Sequence, residues 1–227
     1  MLFALPLFLT YQTLALLSPP GPEGLVRNGA DVILQELFTS LAGPRGPLIL
    51  LAALVGVGLW LVVRDLRANQ RDLQFSVFGL MLAEAVVLAL VFGIAVTAVT
   101  SGLVRPTALI AQAAVADLSM SSRLMLSLGA GLYEELLFRV LLVGSLALLC
   151  RRVLGLRPFV AGLAAALVGA VVFSLFHYVG PYGDQFQVYS FVFRAIAGLA
   201  FSALFLLRGF GITAWTHALY DVFLLMR

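Results

Sequence analysis

Seven stretches of this 227-residue chain are apolar over lengths suited to crossing a bilayer: roughly 1–17, 47–63, 75–104, 123–150, 158–179, 186–207 and 210–226. That pattern leaves little choice of fold. Hydrocarbon supplies no water to backbone N–H and C=O groups, so a crossing segment must satisfy them internally, as an α-helix or within a closed barrel. Runs near the ~20 residues a helix needs point to the helix. The expectation is an all-α, polytopic membrane helix bundle of about seven transmembrane helices, forming one integral membrane domain over residues 1–227. Composition agrees: 62% of residues are hydrophobic and 11% charged, against about 25% charged in an ordinary soluble domain.

Charge narrows the function classes. The net charge of +3 comes from 14 arginines and no lysine. An excess this small suits membrane orientation and gives no support to nucleic-acid binding. Cys150 is the only cysteine, so an intrachain disulfide is excluded. Residues 1–17 lack a basic lead-in, and the SPPGPEG that follows offers no small-x-small cleavage site. This stretch reads as a short first membrane helix or an interfacial anchor. Pro19, Pro20, Gly21 and Pro22 then break any helix. Val32, Ile33, Leu37 and Leu41, interrupted by Asp31 and Glu36, form an amphipathic stretch that either lies in the interface or packs on the bundle. Arg64, Arg67, Arg71, Arg151, Arg152, Arg157 and Arg208 fall in short connections assigned to the cytoplasmic side. The chain is expected in a bacterial cytoplasmic membrane, with its deep polar groups opening toward the outer leaflet.

Those polar groups carry the chemistry. Ionisable side chains at membrane depth cost on the order of 2.5–3.5 kcal/mol each on insertion scales, so they are functional candidates by default. Three clusters stand out: EELLFR with Glu134, Glu135 and Arg139; FSLFH, with Phe173 one turn before His177; and HALYD, with His217 and Asp221. On a helix, adjacent residues point about 100° apart, so Glu134 and Glu135 serve different faces. Glu135 and Arg139 are i,i+4 neighbours able to pair, which leaves Glu134 free as a general base. His217 and Asp221 share the same spacing. Two histidines and two carboxylates suit water activation with oxyanion stabilisation. The same four groups, Glu134, His177, His217 and Asp221, offer nitrogen and oxygen donors to zinc as an alternative, although no HExxH is present. Glu84 and Arg194, isolated in other spans, are expected to meet each other or the active site. Arg194 is also a candidate partner for a substrate carboxylate or for Asp221.

The ordered set EExxxR, FxxxH and HxxxD resembles the CPBP intramembrane proteases, a family that includes CAAX prenyl endopeptidases and bacteriocin-processing proteins. The resemblance spans a catalytic core of about residues 121–226. It implies a glutamate-type peptide hydrolase with no cofactor, acting on a protein or peptide substrate in the membrane. It further implies Glu134 and His177 as activators of water, His217 and Asp221 as oxyanion stabilisers, and Glu135, Arg139 and Phe173 as support. CAAX prenyl endopeptidases carry asparagine where Asp221 stands. A protonated Asp221, an Asp221 that orients His217, or one that binds metal would each accommodate the difference. The expected substrate is exported or membrane-anchored, such as a leader peptide or a carboxyl-terminal sorting tail. Two other classes compete: a non-catalytic scaffold or immunity protein of the same fold, and a transporter using Glu84, Glu134, Arg194 and Asp221 as a proton path. The lack of an evident inverted repeat of broken helices counts against transport.

Overall fold

A computed structural model describes residues 2–17, 27–69, 75–106, 118–180 and 183–225. The expected break at Pro19–Pro22, and also Arg71 and Pro181, lie outside the described residues. Among the described residues every regular element is helical. In chain order they are α1 (Leu5–Leu17), α2 (Gly29–Ala42), α3 (Gly46–Asn69), α4 (Phe75–Leu103), α5 (Met120–Gly129), a π-helical segment (Ala130–Val143), α6 (Gly144–Arg152), α7 (Pro158–Phe176) and α8 (Val188–Leu225). Four helical stretches among them are long and apolar enough to cross a bilayer: Gly29–Arg67, Phe75–Leu103, Pro158–Phe176 and Val188–Leu225. The molecule is an all-α, multi-pass membrane helix bundle.

The Val188–Leu225 stretch is two helices. Its 38 residues contain Gly209 at φ 76° and ψ 176°, a backbone region reserved almost entirely for glycine. The rings of Phe201 and His217 stack with centroids 4.3 Å apart. Sixteen residues of straight helix would separate them by about 24 Å. The chain therefore folds back at Gly209, bringing together residues eight positions to either side. The sequence expectation of separate crossings over 186–207 and 210–226 matches these two arms. The carboxyl-terminal arm also holds the start of the chain, where Trp215 Nε1 donates to the Phe3 carbonyl at 2.7 Å.

Helices α2 and α3 are also folded against each other. Gly43 adopts φ 65°, and a Cβ on Gly46 would lie 2.3 Å from the Thr39 nitrogen. The face α2 buries is not its apolar stripe: Val32, Ile33, Leu37 and Leu41 are exposed, while Ala30, Asp31 and Leu34 are buried. The helix packs on the bundle with that stripe turned outward, and a polar contact decides its rotation. Asp31 accepts from Tyr11 Oη at 2.6 Å, from Arg27 Nη1 at 2.9 Å and from Gln35 Nε2 at 2.7 Å.

Helix α1 has 13 residues, about 20 Å of helix. It is no lone surface anchor, because Leu7, Tyr11 and Ala15 are buried in the core with Met125, Leu132, Tyr133 and Ala214. The expected span 123–150 is continuous helix through α5, the π segment and α6, yet its middle is wound differently from the α-helix anticipated. The N–H of Gly144 reaches back five residues to the Arg139 carbonyl. Winding of this i→i+5 kind is rare and collects at functional sites. Gly131 lets the second arm of α8 press onto this segment, since a Cβ there would stand 2.3 Å from the Ala214 carbonyl oxygen.

Candidate active site

The π segment carries Glu134, Glu135 and Arg139, all buried, and the two glutamates do separate work. Glu135 faces the interior. Its Oε2 lies 3.2 Å from Arg139 Nε, and its Oε1 receives His217 Nδ1 at 2.8 Å. The pairing of Glu135 with Arg139 is the i,i+4 contact expected from sequence. The contact with His217 was not expected, although a buried acid at this depth has more lone pairs than one arginine nitrogen can satisfy. Arg139 is sandwiched as well, 4.4 Å from the Phe173 ring and 5.4 Å from the Phe201 ring. A guanidinium in such a slot recovers from the ring faces part of what it loses from water.

Glu134 points elsewhere. Its Oε1 accepts from Asn28 Nδ2 at 2.9 Å, while its buried Oε2 has no hydrogen-bond partner. It lies within electrostatic reach of His177, His217 and Arg139. His177 caps the end of α7, and its Nδ1 is 2.9 Å from the Phe173 carbonyl oxygen. A carbonyl only accepts, so this contact puts the proton on Nδ1 and leaves Nε2 of the neutral ring as a lone pair. Phe173 also meets the His177 ring edge-on at 4.9 Å and the His217 ring at 6.2 Å.

His217 comes from the second arm of α8. Glu135 holds its Nδ1 and Phe201 covers its ring, while Nε2 lies 3.8 Å from Asp221 Oδ2. The i,i+4 relation of His217 and Asp221 is as expected. The orienting contact to the ring, however, is made by Glu135, and Asp221 faces the other nitrogen. The three motif clusters are thus brought together from the π segment, the end of α7 and the carboxyl-terminal arm of α8.

Glu84 and Arg194 do not meet each other. Glu84 is held by Arg208, with Nε to Oε1 at 2.6 Å and Nη2 to Oε2 at 2.5 Å. Arg194 pairs with Asp184 on the loop after His177 and lies over the Tyr178 ring at 5.3 Å. Both nearer partners sit at chain reversals, which the sequence spacing of the spans did not reveal. The four candidate zinc ligands are not grouped as a metal site, and no cluster of three or more His, Cys, Asp or Glu side chains able to hold a metal occurs among the described residues.

Sequence reasoning missed Asn28, Phe201 and Tyr133. Asn28 had one usable signal, its place as N-cap immediately before the helical run of α2. Phe201 could have been found from its symmetry with His217 about Gly209. Tyr133 meets Tyr11 in a tilted ring contact, centroids 5.1 Å apart, and receives Gln12 Nε2 on its hydroxyl at 2.8 Å, tying α1 to the residue beside Glu134.

No curated protein and no solved structure matches the chain. Residues 116–223 match the family model described as type II CAAX prenyl endopeptidase Rce1-like. This range takes in the π segment, α7 and both arms of α8, and agrees with the motif resemblance. Over these residues, which carry Glu134, His177 and His217, the chain is similar to the Rce1-like type II CAAX prenyl endopeptidases.

Proposed function

We propose that the protein is an intramembrane endopeptidase that hydrolyses a peptide bond of an exported or membrane-anchored protein, in a leader or a carboxyl-terminal sorting segment. The observation that carries this reading is Glu134: a buried carboxylate with one oxygen held and the other bare, beside two histidines. Buried polar atoms are nearly always satisfied, and a bare acceptor beside ring nitrogens suits a water molecule that is to be deprotonated.

In the mechanism we draw from it, water donates one hydrogen to Glu134 Oε2 and the other to His177 Nε2. Both are acceptors, so the water's lone pair is directed at the scissile carbonyl carbon. Attack transfers the first proton to Glu134, and the carbonyl oxygen becomes the oxyanion. His217 stabilises it as the imidazolium, because Glu135 occupies Nδ1–H and only a protonated Nε2 can donate. Asp221, 3.8 Å from that Nε2, favours the charged ring. This role differs from direct donation to the oxyanion and accommodates an aspartate where the CAAX endopeptidases have asparagine. Collapse of the intermediate returns the proton from Glu134 to the leaving amine. No step requires a metal, and chelators are expected to leave cleavage unchanged; stoichiometric zinc with chelator-sensitive cleavage would count for the zinc-dependent variant.

The test compares protein termini in membrane and secreted fractions of wild-type cells and a Glu134→Gln strain. Termini that vanish in the variant name the substrate and the cut. Identical termini, with the variant at normal abundance, would replace the peptidase reading with that of a scaffold or immunity protein.

A further inference from the structure

The residue that holds Glu134 comes from the other end of the chain, outside residues 116–223. Asn28 is buried and caps α2, with φ −60° and ψ 138°. Its Oδ1 accepts from the Ala30 N–H at 2.9 Å, and its Nδ2 donates to Glu134 Oε1 at 2.9 Å. The two functions fix each other. Because the cap consumes the acceptor, the amide presents a donor to Glu134 and nothing else. An N-cap role alone would be served equally by serine or aspartate, so capping does not explain an amide whose donor is spent on a carboxylate 106 residues away.

The surroundings hold this arrangement firmly. A Cβ on Gly129 would fall 2.6 Å from the Asn28 Cβ and 2.7 Å from Tyr11 Cε2, so the bare glycine lets Asn28 and α1 reach the π segment. One turn along α2, Asp31 binds Tyr11, Arg27 and Gln35, which fixes the position of the cap. Glu134 Oε1 is thereby occupied and Oε2 left bare.

We infer that Asn28 is a positioning residue of the active site: it anchors one oxygen of Glu134 so that the other is aimed at the water. This rests on the hydrolytic reading of Glu134. The amino-terminal helices then complete the site, and residues 116–223 alone lack a working base.

Asn28→Ser separates positioning from capping, since serine keeps a cap acceptor and is too short to hold Glu134 Oε1 as the amide does. The first readout is the carboxylate stretch of Glu134 in the purified, lipid-reconstituted full chain, identified as the infrared band lost in Glu134→Gln. It is expected to shift in Asn28→Ser while the melting temperature stays near wild type. The second is cleavage of a peptide bearing a Glu134-dependent terminus, expected to lose up to about 10²-fold in kcat with KM changed far less. Should Asn28→Ser fail to insert, Asn28→Gly, also a tolerated cap, removes the donor entirely, and the same band shift is expected. An unmoved band in a folded variant, or wild-type kcat, overturns the inference. If Glu134→Gln retains every terminus, the peptidase reading fails instead, and the infrared band still decides whether Asn28 holds Glu134.

Discussion

Asp31 and Glu134 are both buried carboxylates, and α2 reaches both, yet they are treated in opposite ways. Asp31 receives three donors that cover both of its oxygens. Glu134 receives one donor on one oxygen and none on the other. A buried acceptor left unmade costs about 1–3 kcal/mol, and more for a charged group. The first carboxylate is therefore a joint between α1 and α2, and the second keeps a reserve of unsatisfied hydrogen bonding that water and substrate can use. Satisfaction, rather than burial, separates these two acids; Glu135 Oε2 likewise has no hydrogen bond, but Arg139 Nε pairs with it at 3.2 Å.

The largest effect should come from taking away the bare oxygen. Glu134→Gln keeps an acceptor for Asn28 and puts an N–H where the lone pair stood. Cleavage should fall by about 10²–10⁴-fold, the usual worth of a general base, while insertion and melting temperature stay near wild type. A variant that cleaves normally would break the comparison. The converse holds for Asp31→Ala, which strands Tyr11, Arg27 and Gln35. It should cost about 2–4 kcal/mol of stability, read as a lower melting temperature. Activity per folded molecule should fall less than stability does, because the damage reaches Glu134 only through the cap. Full stability in Asp31→Ala would mean the joint lies elsewhere.

Much of this contrast was legible in the sequence. The helical class and most span limits follow from apolar runs, and the three motif clusters converge as their spacing and family resemblance implied. Glu134 could be singled out from Glu135 because neighbouring helical positions diverge. What the sequence could not show are contacts made across the chain by short polar side chains. Asn28 and Asp31 read as ordinary residues near a loop and an amphipathic stretch, since nothing local says that Tyr11 and Glu134 will meet them. Asp31 even marked the wrong face of α2 as polar, because three partners make its burial affordable. The ion pairs of Glu84 and Arg194 went the same way. The two were expected to meet each other or the active site: Glu84 pairs with Arg208 instead, while Arg194, held by Asp184, lies within electrostatic reach of His177 and Asp221.

A third change weakens the site through geometry alone. Gly209 sits where other residues are strained, at φ 76° and ψ 176°, and its Cβ position is open. Gly209→Ala should therefore cost about 1–3 kcal/mol from backbone strain with no clash added. The turn it shapes sets Phe201 against His217, so cleavage should fall modestly. A melting temperature equal to wild type would show that the reversal tolerates a side chain and is held by its arms.

The smallest effect is expected one residue earlier. Arg208 grips Glu84 through two hydrogen bonds, but its side chain is 51% exposed and that of Glu84 33%. The pair resembles Asp31 in being satisfied and differs from it in lying on the outer face of the bundle, clear of the contacts around Glu134, His177 and His217. Arg208→Ala should leave cleavage within about twofold of wild type and the Glu134 infrared band unmoved. A large loss of activity would change the picture more than its size suggests. Arg208 touches none of Glu134, His177 or His217, so the loss would reach the site through the adjoining turn at Gly209 or through α4, whose Phe92 stacks on Phe201 at 4.1 Å. Either route ends on the ring that covers His217, and the clamp between α4 and the turn would then be part of the machinery that positions the imidazolium.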